Sequence, residues 1–464
     1  MKKKKIIIPA VITSILILIA VWFFWPEETV TYAFVYRNDP GIEKDISGYT
    51  PEYPDARFMV ISDLHLFDPV LGTSGQAFME YLDGDRKLIK ESSELLVTAK
   101  SMILHQAPDF VLIPGDLTKD GEKQSHLLLA HHLEEIESLG IKVFVVPGNH
   151  DINNGLAYSY PGDHYEKIPT IQADEFAEIY RDFGYTEALQ RDPDSLSYAA
   201  EPVPGLLLLA MDACRYRENK PDEESIVDGR FSQQTVSWIE TILRTAKKDN
   251  KPVIAMMHHG VVAHFASQEK HFGEYLVDAA PQIAGMLAYY KVRILFTGHF
   301  HAQDIAMYKG EDTDFLYDVE TGSLVSYPSP IRSIAIRNNT MNIDSQYIGS
   351  IASKPRDFPA FSKQFLHDGI KNLSIQTMKK YWVSQEDAVK LAPKVADAFL
   401  VHYTGADVPP GVTLNPKDLL DDDNLSLIGG IVIGQRKDLV WDLWHDVPPG
   451  DNTLVIDLKT GKIK

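Results

Sequence analysis

Five short polar blocks contain most of the residues in this sequence that could do chemistry. Each block follows a run of apolar residues, as expected where a buried strand ends at the mouth of a site. The blocks supply imidazole nitrogens, carboxylates and an amide oxygen without a thiolate, a donor set that suits Mn, Fe, Co, Ni or Zn. They are Ser62-Asp63-Leu64-His65, Gly115-Asp116-Leu117-Thr118, Gly148-Asn149-His150-Asp151, His258-His259-Gly260 and Gly298-His299-Phe300-His301.

The spacing inside the blocks predicts shared binding of a metal ion. Residues i and i+2 of an extended strand face the same side. Asp63 and His65 are therefore predicted to bind one ion together, and His299 and His301 to face one site. A lone histidine is most often a surface or core residue. The recurrence of glycine, histidine and aspartate at several strand ends instead predicts that these ends converge on one place.

The elements that must position the blocks alternate between strands and helices. Apolar residues at helical spacing predict helices, with Ser232 as the N-cap of one of them. Strands followed by helices, then consecutive strands from about residue 303 to 348, predict a layered α/β core with mixed sheets over residues 56–350. The block-bearing strands are predicted at residues 57–61, 110–113, 142–146, 253–257 and 292–296, and the helices at 86–105, 122–139, 173–183 and 232–246.

The segments on either side of this core differ from it in composition. Residues 28–55 are rich in proline, acidic residues and tyrosine, which predicts a tether with one strand over residues 29–36. Residues 351–464 predict a mainly helical accessory domain, with helices over 361–381 and 385–403 and a final hairpin over 453–463. Ser384 and Asp387 have the spacing of a capping box at the second helix.

The first 27 residues predict a membrane anchor. Lys2 to Lys5 precede an uncharged apolar stretch from Ile6 to Trp25, which is long enough to cross a bilayer as one helix. The lysines favour the cytoplasmic side, which would place the catalytic part of the chain outside. A cleaved signal peptide is the alternative, although the stretch ends in aromatic residues rather than a small-residue cleavage site.

The formal charge of −20 argues against a binder of duplex nucleic acid, which would show a basic face. A small anionic substrate is compatible with this charge if bound metal ions make the site locally positive. The chain has one cysteine, Cys214, so an intrachain disulfide is impossible.

The five blocks together resemble the five motifs of the calcineurin-like metallophosphoesterases, in the same order, over about residues 55–340. The Asp63-x-His65 start and the Gly115-Asp116-Leu117-Thr118 block are most similar to the branch that contains class III cyclic-nucleotide and glycerophosphodiester phosphodiesterases. Lys119 replaces a tyrosine of purple acid phosphatases, and the arginine typical of protein Ser/Thr phosphatases is missing. The resemblance implies an α-β-β-α sandwich.

The resemblance also implies a site with two divalent or mixed-valence metal ions, with Mn, Fe or Zn expected. One ion would be held by Asp63, His65, Asp116 and His301, and the other by Asp116, Asn149, His258 and His299. His150 would protonate the leaving oxygen or stabilise the transition state. Asp151 would either orient His150 or hold the turn.

The activity implied is in-line attack of a metal-bridging hydroxide on a small phosphodiester such as a cyclic nucleotide. Two alternatives stay open at this point. One is a phosphomonoesterase such as a nucleotidase, and the other is a surface protein that binds metal without useful turnover.

Overall fold

Two β-sheets form the centre of the protein. The computed structural model describes residues 30–36, 49–311, 314–406, 425–445 and 447–464. The predicted anchor over residues 1–27 lies outside the described residues, as does much of the predicted tether. Among the helices of the described ranges, none combines the length and the apolar character needed to cross a bilayer.

The strands and helices of the described ranges are numbered in chain order. The strands are β1 (Ala56–Val60), β2 (Phe110–Pro114), β3 (Lys142–Val146), β4 (Tyr158–Ser159), β5 (Glu166–Lys167), β6 (Gln190–Arg191), β7 (Tyr198–Ala200), β8 (Leu207–Ala210), β9 (Val253–Met256), β10 (Ile294–Thr297), β11 (Asp304–Lys309), β12 (Phe315–Glu320), β13 (Pro330–Arg337), β14 (Thr340–Tyr347) and β15 (Thr453–Asp457). The helices are α1 (Gln76–Asp83), α2 (Ser92–Gln106), α3 (Lys123–Glu137), α4 (Ala173–Ile179), α5 (Gln233–Lys248), α6 (Gln268–His271), α7 (Ala280–Tyr289), α8 (Phe358–Lys380), α9 (Gln385–Tyr403) and α10 (Leu427–Trp444).

The two main sheets each contain a parallel centre. The first sheet has the strand order β15-β14-β13-β1-β2-β3, and β1, β2 and β3 run parallel. The second has the order β11-β12-β10-β9-β8-β7-β6, and β8, β9, β10 and β12 run parallel. The carboxyl ends of the block-bearing strands therefore lie at the same edge of each sheet.

The sheets pack against each other through alternate residues of their strands. In β9, Ile254 and Met256 join the core between the sheets, whereas Val253 and Ala255 join a second cluster with α5 and α7. Phe58 of β1 meets Phe296 of β10 edge to face, with ring centroids 5.4 Å apart. Helices α2 and α3 pack on the first sheet. The predicted α-β-β-α layering is thus confirmed.

The element boundaries follow the sequence pattern closely. Helix α5 begins where predicted, because the Ser232 hydroxyl accepts a hydrogen bond from the Thr235 N–H at 3.0 Å. The predicted helix over residues 86–105 is shorter, since the α-helix begins only at Ser92.

The strand predicted over residues 29–36 is wrong for the described residues 30–36. This segment lies along α5, and its backbone N–H groups bond to side chains rather than to a neighbouring strand. The N–H groups of Val35 and Tyr36 donate to the Glu240 carboxylate at 2.8 and 2.7 Å. The β-forming composition of the segment therefore reflects packing on a helix rather than strand pairing.

The C-terminal segment contains the two predicted helices, α8 and α9, and an additional helix, α10. The Ser384 hydroxyl accepts from the Asp387 N–H at 3.1 Å, which is one half of the predicted capping box. Strand β15 pairs with β14 of the first sheet, and the chain then turns back on it at Gly461. The domain boundary at residue 351 stays a prediction. The last strand, β15, is part of the first sheet and therefore lies outside the helical segment.

Candidate metal centre

The five polar blocks meet at one end of the two sheets. The first three blocks follow β1, β2 and β3 of the first sheet, and the other two follow β9 and β10 of the second. Carboxyl ends of parallel strands are where ligand-binding loops of α/β folds cluster. The predicted convergence of five strand ends is confirmed by the packing of the two sheets.

A first group of donor atoms comes from four buried residues, Asp63, His65, Asp116 and His301. All four donor atoms lie within 4.8 Å of one another. The Nε2 atoms of His65 and His301 are 3.0 Å apart. His65 Nε2 also lies 3.5 Å from Asp116 Oδ2, and His301 Nε2 lies 3.3 Å from Asp63 Oδ1.

A second group contains Asp116, His258 and His299, so the Asp116 carboxylate belongs to both groups. The Nε2 atom of His258 lies 3.4 Å from Asp116 Oδ2 and 3.1 Å from the side-chain oxygen of Asn149. The structure therefore brings together all the residues that the sequence nominated as ligands. Their assignment to particular ions stays a prediction.

The donor set fits a pair of divalent ions. Burial lowers the pKa of His65 and of His299 well below the usual value, so both rings are neutral and offer lone pairs. Burial opposes ionisation of Asp116, but the neighbouring histidines hold the pKa of that carboxyl well below its usual range. At His258 burial opposes protonation, but the carboxylates of Asp116 and Asp63 raise the pKa to about 9. Because metal binding requires the neutral ring, an ion bound there would displace a proton from His258.

The backbone at the site is strained. Asp63, His65, Asp116, His299 and His301 have positive φ values of 50°, 36°, 46°, 82° and 73°. Such conformations are uncommon outside glycine and cost roughly 1–3 kcal/mol each. The predicted reason for the pairing of Asp63 with His65 is therefore wrong. These residues lie in tight loops beyond the strand ends, and the left-handed turns rather than strand alternation direct their side chains.

Gly148 allows two of the blocks to approach each other. A Cβ atom at this position would lie 2.1 Å from Asp116 Oδ1 and 2.2 Å from the Asp116 backbone nitrogen. Neither distance is sterically possible, so only glycine lets the third block pack against the shared carboxylate.

His150 lies beside the first donor group. Its ring meets the His65 ring edge to face at 4.8 Å, and its backbone N–H donates to Asp116 Oδ1 at 3.0 Å. Its Nδ1 atom lies 2.9 Å from Asp120 Oδ1 and 2.7 Å from the Lys119 carbonyl oxygen. Burial opposes protonation, but the carboxylates of Asp116 and Asp120 raise the pKa of His150. About 25 % of the side chain is exposed, which leaves it accessible to a substrate.

Asp120, and not Asp151, holds the His150 ring. The Asp151 carboxylate accepts hydrogen bonds from the N–H groups of Gly148, Leu117 and Thr118 at 2.8, 3.1 and 2.9 Å. It thereby ties the second block to the third. The prediction that Asp151 is catalytic through His150 is corrected to the turn-holding role that the sequence had left open.

Several contributors to the site could not be found from the sequence. The Val227 carbonyl oxygen lies 2.9 Å from His259 Nε2 and 3.1 Å from His299 Nε2, but a backbone atom leaves no residue-type signal. Burial and the positive charge of His258 lower the pKa of His259 to about 3, so this ring is neutral. Asp120 is the exception, because a carboxylate four residues after Asp116, just beyond the second block, is visible in the sequence.

Residues 56–303 match the model of the calcineurin-like phosphoesterase family, which covers more than half of the chain. The chain belongs to this family. The resemblance drawn from the five blocks is thereby confirmed, and the protein is a metallophosphoesterase by family, with a site whose donor set suits two ions.

One curated protein and two solved structures are similar to parts of the chain. A probable cyclic nucleotide phosphodiesterase from Synechococcus is 24 % identical over 200 residues, which are 42 % of this chain and 59 % of the relative. The chain thus matches less than two thirds of that protein. A dimetal phosphatase from Danio rerio has a TM-score of 0.45 at 15 % identity, covering 64 % of this chain and 97 % of that one. A predicted phosphoesterase from Streptococcus pneumoniae has a TM-score of 0.23 at 13 % identity, covering 64 % and 91 %.

Proposed function

We propose that the protein is a dinuclear metal-dependent phosphodiesterase that hydrolyses small phosphodiesters such as cyclic nucleotides. The observation that carries the proposal is the sharing of one buried carboxylate, Asp116, between two groups of potential metal ligands. The Synechococcus relative, named as a probable cyclic nucleotide phosphodiesterase, supports the diester as substrate.

In this proposal Asp63, His65, Asp116 and His301 hold one ion, and Asp116, Asn149, His258 and His299 hold the other. Two divalent ions, when bound, supply positive charge and an activated water for in-line displacement at phosphorus. The carboxylates of Asp63 and Asp116 offset only part of that charge. The site therefore keeps a net positive charge that suits a phosphodiester monoanion.

His150 protonates the leaving oxygen. Its Nδ1 side is engaged by Asp120 and the Lys119 carbonyl group, so Nε2 is the atom that meets the substrate. The raised pKa of His150 favours the protonated ring that this role needs.

Hydrolysis of bis-p-nitrophenyl phosphate and of p-nitrophenyl phosphate, each with added Mn²⁺, tests the proposal. We expect a higher kcat/KM for the diester. A clear preference for the monoester would indicate a phosphomonoesterase, and a metal-loaded protein without turnover of either ester would indicate a binding protein. Asp116→Asn should abolish turnover, whereas Asp163→Asn, at an exposed carboxylate, is the matched control.

We further propose that residues 1–27 anchor the protein in a membrane with the catalytic domain outside the cytoplasm. The support is the sequence alone, four lysines followed by the apolar stretch from Ile6 to Trp25. Deleting residues 1–27 should release a soluble, active protein, because Asp63 is the first ligand residue. Full protection of the catalytic domain from protease added to intact cells would contradict the orientation.

A further inference from the structure

A cavity of about 390 Å³ lies between the three C-terminal helices and the end of the catalytic layers that carries the metal ligands. Much of its lining from α8, α9 and α10 is aliphatic, and Ser374, Thr377 and Arg436 of these helices also line it. The aliphatic residues include Ile370, Leu373, Val395, Val432, Ile433 and Val440. The volume lies within the range of about 300–1,000 Å³ that is usual for small-molecule sites.

The cavity shares a wall with the metal centre. Phe300 lines it and lies in the chain between the ligand residues His299 and His301. Tyr275 also lines it, and its ring packs against the His299 ring with centroids 4.6 Å apart. Phe300 and Tyr275 therefore belong both to the cavity lining and to the surroundings of the ligand residues.

A cationic side chain lies on the same wall. Arg86 lines the cavity, and its Nε–H donates to the Tyr403 hydroxyl at 3.2 Å. A Cβ atom at Gly369 of α8 would lie 2.9 Å from the Arg86 Cα atom, which shows how closely the helix packs on this loop.

We propose that the cavity binds a hydrocarbon chain attached to the phosphate, so that the enzyme also hydrolyses amphiphilic alkyl phosphodiesters. The inference rests on the proposed phosphodiesterase function and extends its substrate class. Aliphatic and aromatic side chains make up most of the lining, which favours a flexible hydrocarbon chain. Ser374, Thr377 and Arg436 add polar groups to it, so a comparison with a cyclic nucleotide decides between the two kinds of occupant. The phosphate would lie at the metals, and the chain would pass along Tyr275 and Phe300 into the cavity.

A series of p-nitrophenyl alkyl phosphates, from methyl to octyl, tests this inference when assayed with Mn²⁺ below the micelle concentration. All members have the same leaving group, so differences report binding of the alkyl chain. Burial of one methylene group in an apolar site corresponds to up to about a fourfold gain in affinity. We expect kcat/KM to rise about two- to fourfold per methylene over the longer esters.

Two neighbouring substitutions on α10 distinguish an effect on the cavity from a general effect on the helix. Val432→Trp fills the cavity and should flatten the dependence on chain length. Ile431→Trp adds the same side chain at a position that is 54 % exposed and does not line the cavity, so the dependence should persist. If thermal melting shows that Val432→Trp is unfolded, Leu373→Trp tests the cavity from α8.

Three results would overturn the inference but not the proposed phosphodiesterase function. The first is a kcat/KM that does not change with chain length in the wild type, although the methyl ester is turned over well. The second is an unchanged dependence on chain length in folded Val432→Trp protein, and the third is a Val432→Trp effect seen only in the KM of a cyclic nucleotide. A metal-loaded wild-type protein that hydrolyses none of the esters would contradict the proposed function itself.

Discussion

His150 is the residue whose role depends most on the substrate. It contacts the first donor group through its ring and its backbone, while Asp120 and the Lys119 carbonyl group fix its Nδ1 side. A general acid typically contributes about 10²–10⁴-fold, and most when the leaving group is a poor one. An alkoxide such as ribose needs protonation, whereas p-nitrophenolate is already a stable anion.

His150→Ala should therefore keep its metal ions and lose about 10²–10⁴-fold in kcat on a cyclic nucleotide, but much less on bis-p-nitrophenyl phosphate. Elemental analysis and the rates on both substrates are the measurements. Loss of metal would make His150 a ligand, and equal losses on both substrates would favour electrostatic stabilisation over proton donation. His164→Ala, at a largely exposed histidine, is the control.

Gly148 is the second residue whose substitution should have a clear effect, because it lies against the shared carboxylate of Asp116. Gly148→Ala should displace Asp116 and weaken Mn²⁺ binding by at least about tenfold, since indirect disturbance of a ligand costs about 10–100-fold. Titration calorimetry with Mn²⁺ measures it. Gly349→Ala, at an exposed glycine with no neighbour within 4 Å, should bind Mn²⁺ normally. Normal affinity in Gly148→Ala would contradict the close approach.

At the scale of elements, the junction between α3 and β3 makes stability depend on pH. Glu137 ends α3, where the helix dipole disfavours a negative charge, and accepts from the Val143 N–H at 3.1 Å. Burial raises the pKa of Glu137 to about 7, assisted by the carboxylates of Glu187 and Asp182 and opposed by Lys142. A carboxyl whose pKa is raised on folding stabilises the fold below its unfolded pKa, and this contribution is lost as the pH rises to about 7.

Glu137→Gln keeps the acceptor for Val143 but removes the titration. The Tm of the wild type should therefore fall relative to that of Glu137→Gln between pH 5 and pH 8. Thermal unfolding of both proteins across this range is the measurement. A difference in Tm that stays constant with pH, or that changes in favour of the wild type, would contradict the assignment.

The elements were predictable to different degrees. Strands such as Phe110–Pro114 are buried on both faces, so their unbroken apolar runs are strong signals. The short strands β4, β5 and β6 have no such runs, and the sequence does not predict them. The segment 30–36 has the composition of a strand but pairs with side chains of α5, which no local pattern indicates.

The candidate site was predictable in its residues but not in its geometry. The seven nominated ligands are recognisable because histidine and aspartate recur at strand ends. The left-handed φ values of Asp63 and His301, and the pairing of His150 with Asp120, depend on how the loops pack against each other. Composition and spacing carry no information on such contacts.

On the scale of the whole molecule, the protein is strongly acidic, so the candidate metal centre becomes locally positive only when metal ions are bound. The formal charge is −20, and carboxylates contribute to both donor groups. The C-terminal helices add an apolar cavity next to this point, and strand β15 returns the chain to the first sheet. Under the proposed function, bound metal ions would allow this acidic chain to bind an anionic diester.

The number of metal ions bound per chain tests this account most directly. After reconstitution with Mn²⁺ and removal of free metal, elemental analysis should find two ions per chain in the wild type and fewer than one in Asp116→Ala. The rate at which Asp116→Ala hydrolyses bis-p-nitrophenyl phosphate should fall at least about 100-fold. Asp163→Ala should retain both ions and its activity. One ion or none in an active wild-type enzyme, or two ions with normal turnover in Asp116→Ala, would contradict the shared dinuclear site.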